Sequence, residues 1–126
     1  RLLALENTLG GKLLPFDYLQ QATALAKAKG LARHLDGARL FNAAVAQAQA
    51  TGGDARAEAK RIAQCFDSIS VCVSKGLGAP VGSALCGPAD LVRQAHRLRK
   101  VLGGGMRQGG VIAAAALLLG VDLTAL

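Results

Sequence analysis

The chain has 126 residues, of which 52% are hydrophobic and 18% are charged. That composition excludes an intrinsically disordered protein and predicts one packed domain or a piece of one. Its formal charge of +7 raises the question of nucleic-acid binding. The sequence opens on Arg1 and shows no signal-peptide pattern, so we expect it to begin within a longer protein.

The first half of the chain alternates between strand and helix patterns. Apolar runs at residues 2–5 and 31–35 predict strands, and apolar residues at helical spacing predict helices at 16–29, 38–50 and 55–65. Pro15 suits the first turn of the first helix, and Gly30 suits its end. We expect Asp36 and Gly37 to break the second strand.

The second half continues the alternation. Residues 68–73 and 83–86 predict strands on either side of a glycine-rich segment at 75–82. A helix follows Pro88, and its apolar stripe is formed by Leu91, Ala95, Leu98 and Leu102. Beyond three glycines, residues 111–119 are apolar on all sides, which is typical of a helix buried within a larger body. Alternating strands and helices predict an α/β fold with a largely parallel sheet.

Several classes of protein are disfavoured by the same patterns. The longest uncharged apolar run, residues 111–121, is about half of the roughly 20 residues that a membrane-spanning helix needs. The three cysteines fit neither a metal knuckle nor an even-numbered disulfide framework, so we expect reduced thiols in a cytoplasmic protein, with Cys72 and Cys86 packed in the core. The two histidines lack an accompanying carboxylate cluster, which disfavours a metal site, and we expect His34 to be a plain strand residue.

Basic residues are densest in the last third of the chain, at Arg93, Arg97, Arg99, Lys100 and Arg107. No aromatic residue is interleaved with them, and base-stacking platforms are therefore missing. This stretch favours a solvated helix face or a phosphate-ligand site over a nucleic-acid groove.

Two predicted strand ends carry residues capable of chemistry. Asp36 follows the second strand, with Arg39 three residues later, and Lys75 follows the strand at 68–73. Ligands of open α/β sheets collect at the carboxyl ends of the strands. A lysine amine is a nucleophile when it is neutral, and glycines after Lys75 leave space for a bulky group nearby.

Five segments resemble, in order, the low-specificity L-threonine aldolase family. They read LENT at 5–8, HLDGARLFN at 34–42, FDS at 66–68, SKGLGAPVGS at 74–83 and RKVLGGGMRQ at 99–108. The resemblance covers nearly the whole chain but only about a third of a family member. It implies that residues 1–126 are part of the large cofactor-binding domain of the aspartate aminotransferase-like, fold-type I architecture.

The resemblance also implies a cofactor and its ligands. Lys75 would form a Schiff base with the aldehyde of pyridoxal 5'-phosphate, and Asp36 would bind the pyridine nitrogen and keep the ring an electron sink. Arg39 would lie near the 3-hydroxyl. Lys100 and Arg107 match positions that line the active site or the cofactor-phosphate region, while plain surface charge is an equally good interpretation of both.

The implied reaction is cleavage of L-threonine, L-allo-threonine and related β-hydroxy-α-amino acids to glycine and an aldehyde. The family further implies a cytoplasmic homodimer or homotetramer with an amino-acid substrate and no nucleic-acid or membrane partner. This sequence departs from the family at Leu9, where a histidine is usual. The segment between Asp36 and Lys75 is also longer than expected, and we expect the excess to form a surface insertion around residues 46–59.

Three other interpretations stay open. One is a different fold-type I pyridoxal-phosphate enzyme, such as a β-eliminating lyase. Another is a noncatalytic segment that acts in assembly and buries residues 111–119 against a partner chain, and the third is nucleic-acid binding through the basic helix. Because the family's phosphate-binding loop, ring-stacking histidine and small domain lie outside this sequence, we expect the isolated chain to have little or no aldolase activity.

Overall fold

A four-stranded sheet forms the centre of the computed structural model, which describes residues 1–118. Its strands are β1 (Leu2–Glu6), β2 (Ala32–Gly37), β3 (Ser68–Cys72) and β4 (Ser83–Cys86), and they lie side by side in chain order. β1, β2 and β3 run parallel, whereas β4 pairs antiparallel with β3. The predicted α/β class with a mostly parallel sheet is confirmed.

Five helices accompany the sheet. They are α1 (Phe16–Ala28), α2 (Leu40–Thr51), α3 (Ala55–Ala63), α4 (Ala89–Val101) and α5 (Gly109–Leu118). α1 begins after Pro15 and ends just before Gly30, as predicted, because Gly30 adopts a φ of 66° that favours glycine. The side chain of Asp54 caps α3 by accepting a hydrogen bond from the Ala57 backbone N–H at 2.8 Å.

The hydrophobic core lies on one face of the sheet. Strand residues Leu35, Ile69 and Val71 alternate onto that face, where they form one cluster with residues of the first three helices. The helical members of the cluster are Leu19, Leu40, Ala44, Ala59, Ile62 and Ala63. Burying these side chains is the main force that holds α1, α2 and α3 against the sheet.

The opposite face of the sheet is open and carries polar side chains beside exposed apolar ones such as Leu2 and Leu85. Asp36 and Ser70 lie directly opposite each other in the β2–β3 register, and His34 donates to or accepts from the Ser68 hydroxyl at 2.8 Å on the same face. Asp36 is exposed and the other three are half-buried. Parallel sheets usually have both faces covered, so this face is the available surface for a ligand or for further protein. His34 is the strand residue that the sequence predicts.

Two boundaries near Asp36 differ from the sequence prediction. β2 runs through Asp36 and Gly37 instead of breaking there, because both residues pair with β3. α2 begins at Leu40 and not at residue 38. The cause is local: the Ala38 backbone N–H donates to Asp36 Oδ1 at 3.0 Å, a turn that competes with helix formation.

The segment expected to be a surface insertion joins α2 to α3. Residues 46–59 form the end of α2, a short turn and the start of α3, and four of them are buried: Gln47, Ala48, Glu58 and Ala59. The other ten residues of the segment are exposed or half-buried, so it lies mostly at the surface, and the expectation that it is an insertion stays a prediction.

The last two helices form where they are predicted but bury none of their described residues. Leu98 is 58% exposed in the apolar stripe of α4, and Val111 is 79% exposed in α5. Within residues 1–118 the core is built from the earlier elements, so the expected burial of 111–119 within a larger body stays a prediction, and Leu119 lies outside the described residues.

Other sequence expectations concern membranes, metals and thiols. Within residues 1–118, no helix has the length and apolar character needed to cross a membrane, and no cluster of metal-ligating side chains occurs. All three cysteines carry free thiols and are half-buried, so Cys72 and Cys86 are less enclosed than expected. Burial raises the pKa of the Cys86 thiol.

Because Gly37 has no side chain, β2 packs closely against β3 and α2 at this position. A Cβ atom there would lie 2.9 Å from Ile69 Cγ2 and 3.0 Å from the Ser70 carbonyl oxygen. We expect Gly37→Ala to lower the free energy of unfolding by about 1–3 kcal/mol in urea denaturation. Gly109→Ala is the matched control, because no atom lies within 4 Å of its added methyl. Equal effects of the two substitutions would contradict this account.

An ion pair joins the starts of β2 and β3. Arg33 pairs with the Asp67 carboxylate, which also accepts the Arg33 backbone N–H at 2.8 Å and Nε–H at 3.0 Å. These hydrogen bonds hold the pKa of Asp67 below its ordinary value of 3.8. The stabilisation is therefore complete above pH 3.8 and is lost as the pH falls through the lowered pKa.

We expect Asp67→Asn to cost about 1 kcal/mol at neutral pH, a small value because both side chains are partly exposed. The difference from the unsubstituted protein should shrink as the pH falls below 3.8. Urea denaturation across this range measures it, with the exposed Asp17→Asn as control. A difference that stays constant down to low pH would show that the ion pair is not its source.

Candidate functional site

Asp36 presents a carboxylate on the open face of the sheet. It is the penultimate residue of β2 and is exposed. One oxygen, Oδ1, accepts the Ala38 backbone N–H, while no partner for Oδ2 occurs within residues 1–118. The turn therefore orients the carboxylate and leaves one oxygen available to a ligand.

Arg39 lies at the N-terminus of α2, three residues after Asp36. Its carbonyl oxygen accepts the Ala43 backbone N–H at 3.0 Å, so its backbone belongs to the first turn of the helix. Its side chain is exposed. The sequence predicted that Arg39 lies within the helix, whereas the structure places it at the N-cap of α2. Its guanidinium still starts from the same sheet edge as Asp36.

Lys75 heads a tight turn after β3. The Gly78 N–H donates to the Lys75 carbonyl oxygen at 3.0 Å, and the base of the turn is closed by Val73, whose N–H donates to the Gly82 carbonyl oxygen at 3.1 Å. The Lys75 side chain is exposed. Since β2 and β3 are parallel neighbours, Asp36 and Lys75 leave the sheet at the same edge.

Asn42 connects this turn with α2. It lies in the first turn of the helix, and its side-chain amide lies directly against Gly76. A Cβ atom at Gly76 would be 2.5 Å from Asn42 Oδ1. The carboxylate, the guanidinium and the amine are therefore carried by segments that contact one another. Sequence reasoning assigned no role to Asn42, although it stands in the quoted segment 34–42.

Lys100 and Arg107 lie in and after α4, outside the elements that form this edge. Lys100 lies in the last turn of α4, and its side chain passes so close to Gly105 that an added Cβ would be 2.8 Å from Lys100 Cδ. Arg107 is exposed in the segment between α4 and α5. No described hydrogen bond or ion pair joins either residue to Asp36, Arg39 or Lys75.

Sequence reasoning also missed a buried polar pair beside Asp36. The Asn7 backbone N–H donates to the Asp36 carbonyl oxygen at 3.2 Å, and Asn7 Oδ1 accepts the Leu14 N–H at 3.1 Å. Asn7 Nδ2 and Thr8 Oγ1 are buried and have no hydrogen-bond partner within residues 1–118. The available signal was the position of both residues directly after β1, at the edge where Asp36 ends β2.

A cavity of about 380 Å³ lies next to that pair. Leu9 and Tyr18 line it together with Asp36. Leu9, which departs from the family's usual histidine, therefore gives this cavity an apolar wall and no titratable group.

The chain is similar to known lyases along almost its whole length. A family profile described as beta-eliminating lyase matches residues 1–124. The chain is 50% identical over 117 residues to the low specificity L-threonine aldolase of Escherichia coli strain K12, a match covering 93% of this chain and 33% of that protein. It is also 50% identical over 120 residues to the probable low-specificity L-threonine aldolase 2 of Arabidopsis thaliana, covering 93% of this chain and 32% of that one.

Solved structures show the same fold. A putative L-allo-threonine aldolase from Listeria monocytogenes EGD-E matches with a TM-score of 0.66 and 28% identity, covering 82% of this chain and 27% of its own. A putative aromatic amino acid beta-eliminating lyase/threonine aldolase from Exiguobacterium sp. 255-15 matches with a TM-score of 0.66, 32% identity and coverages of 82% and 28%. The predicted fold-type I architecture is confirmed. This chain spans about a third of the length of the curated relatives that it matches.

The two residues of the buried polar pair should respond differently to substitution. Asn7→Ala removes the acceptor of the Leu14 N–H, and we expect it to lower the free energy of unfolding by about 1–3 kcal/mol. Thr8→Val replaces an unpartnered buried hydroxyl by a methyl group and should be neutral or slightly stabilising. Urea denaturation of both variants measures these changes in the free energy of unfolding. A large loss of stability in Thr8→Val would show that the hydroxyl has a partner.

Proposed function

The chain belongs to the beta-eliminating lyase family, and on that premise we propose that it carries the cofactor-binding lysine, carboxylate and guanidinium of a pyridoxal-phosphate-dependent aldolase. Enzymes of this family, threonine aldolases included, are fold-type I enzymes that depend on pyridoxal phosphate. The proposed substrates are L-threonine, L-allo-threonine and related β-hydroxy-α-amino acids, which are cleaved to glycine and an aldehyde. The main support is the exit of Asp36 and Lys75 from neighbouring parallel strands at one sheet edge.

The residues at this edge match the chemistry of the cofactor. Pyridoxal phosphate offers an aldehyde carbon, a pyridine nitrogen and a 3-oxygen, which suit an amine, a carboxylate and a cation respectively. Lys75, Asp36 and Arg39 supply those three groups, and all three side chains are exposed. Gly76 and Gly78 add no side chains of their own beside Lys75, and the Asn42 carboxamide lies against Gly76. When bound, the cofactor's ring withdraws electrons from the substrate's α-carbon.

Each of the three side chains has a distinct task in this proposal. The Asp36 carboxylate would accept a hydrogen bond from the ring N–H, and its negative charge would keep that proton in place. Arg39 would stabilise negative charge on the 3-oxygen. Lys75 would hold the cofactor through its amine, from a turn whose base is hydrogen-bonded to the end of β3. The Ala38 N–H orients the Asp36 carboxylate for its task.

The remaining site residues and the assembly belong to the same proposal. Lys100 and Arg107 would serve the cofactor-phosphate region, although no described contact joins them to the sheet edge within residues 1–118. We propose that residues 1–126 are part of a large cofactor-binding domain in a cytoplasmic homodimer or homotetramer with a small amino-acid substrate. The family resemblance supports these assignments.

A second candidate is β-elimination on the same cofactor. It is favoured by the description of the matching family and by the name of the Exiguobacterium protein. Both reactions would use Lys75, Asp36 and Arg39 in the same way. Their products separate them, because aldol cleavage of threonine releases glycine and an aldehyde, whereas β-elimination of serine releases pyruvate and ammonia.

Covalent labelling tests the central residue of the proposal. We expect the protein mixed with pyridoxal phosphate and reduced with borohydride to carry the label on Lys75, as mapped by peptide mass spectrometry. Lys75→Ala should lose at least about 90% of the label, since surface lysines react only weakly and without selection. Lys12→Ala, which removes another exposed lysine, is the control and should label normally. Label spread evenly over the surface lysines would contradict the proposal.

A further inference from the structure

Asn42 of α2 contacts Gly76 in the turn that follows β3. We propose that Asn42 is a positioning residue: its carboxamide, seated against Gly76, holds the turn that presents Lys75. This inference rests on the proposed function of Lys75 and adds a residue that sets where its amine lies.

The first turn of α2 is a firm support for such a contact. Leu40, Ala43 and Ala44 have no exposed surface and belong to the packed face of the helix. Asn42 lies on the outer face of the same turn and is exposed. Because the inner face cannot move without opening the core, Asn42 starts from a backbone that is held in place.

Position 76 has no room for a side chain, which explains the glycine there. An added Cβ would lie 2.5 Å from Asn42 Oδ1 and 3.0 Å from both Cγ and Nδ2, and these are its nearest neighbours. Its φ is not in the left-handed region, so its backbone is open to any residue. Gly78 shows the reverse case, with a φ of 76° and no atom within 4 Å of an added Cβ. The carboxamide therefore occupies the space that a side chain at position 76 would need.

The contact acts on Lys75 through one peptide unit. Backbone hydrogen bonds close the base of the turn at Val73 and its tip between Lys75 and Gly78. No described hydrogen bond or ion pair holds the Lys75 side chain itself within residues 1–118. The direction of the amine therefore depends on the backbone of the turn. Asn42 contacts that backbone at Gly76, the residue after Lys75. Since Arg39 begins the same helix, α2 would set the separation between two of the proposed cofactor ligands.

A neighbouring cavity lets the contact break without unfolding the protein. It has a volume of about 390 Å³ and is lined by Asn42, Val45, Gln49 and Leu77 among others. In Gly76→Ala, the Asn42 side chain can swing into this space and relieve the clash. Loss of the contact should therefore change the behaviour of Lys75 more than the stability of the fold.

The test is a double-mutant cycle on the rate at which pyridoxal phosphate and cyanoborohydride label Lys75, read by peptide mass spectrometry. We expect Asn42→Ala and Gly76→Ala each to slow labelling by about tenfold, the scale of a small misplacement of a reacting group. In the Asn42→Ala background, Gly76→Ala should have little further effect, because the clashing side chain is gone.

Controls separate positioning from stability and from the proposed function. Gln49→Ala removes the other carboxamide that lines the cavity and should label normally. Thermal melting temperatures of all variants should stay within about 4–8 °C of one another, the shift expected of a small change in stability. Additive effects of the two substitutions, or normal labelling of Asn42→Ala, would overturn the role of Asn42. Absence of selective Lys75 labelling in the unsubstituted protein would instead overturn the proposed function.

Discussion

Parallel pairing of β2 with β3 determines where the candidate site can form. In this register Asp36 lies opposite Ser70, and both strands leave the sheet at the same edge. At that edge β2 continues into a turn and α2, while β3 continues into the turn of Lys75. A carboxylate and an amine that are far apart in sequence are thereby brought to neighbouring positions. Without this pairing, neither the open face nor the contact between Asn42 and Gly76 would exist.

Small residues make the pairing compatible with a helix layer on one face. Gly37 has no room for a side chain between Ile69 and α2, and alanines at 43 and 44 are fully buried. Because side chains alternate along a strand, burying Leu35 and Gly37 on one face requires Asp36 to lie on the other. The packing that stabilises the domain and the exposure of the site carboxylate are therefore two results of one strand pattern.

Much of this arrangement could be predicted from local patterns. The order of strands and helices, the parallel sheet and the positions of Asp36 and Lys75 at strand ends all follow from periodicity, glycines and prolines. The start of α2 could not, because a single hydrogen bond from Ala38 to the Asp36 carboxylate decides it. An apolar pattern indicates that a helix face favours burial, but it does not show what covers that face, so the sequence alone does not show that α4 and α5 bury no residue within residues 1–118. The contact of Asn42 with Gly76 joins residues distant in sequence and depends on tertiary packing.

The central claim is that Asp36, Arg39 and Lys75 form one cofactor site at the carboxyl edge of the parallel strands. A crystal structure of the protein grown with pyridoxal phosphate tests it most directly. The account predicts a covalent link at Lys75, with an Asp36 oxygen about 2.7–3.2 Å from the pyridine nitrogen and the Arg39 guanidinium beside the 3-oxygen. A cofactor held by another lysine, or one whose ring nitrogen points away from Asp36, would contradict it.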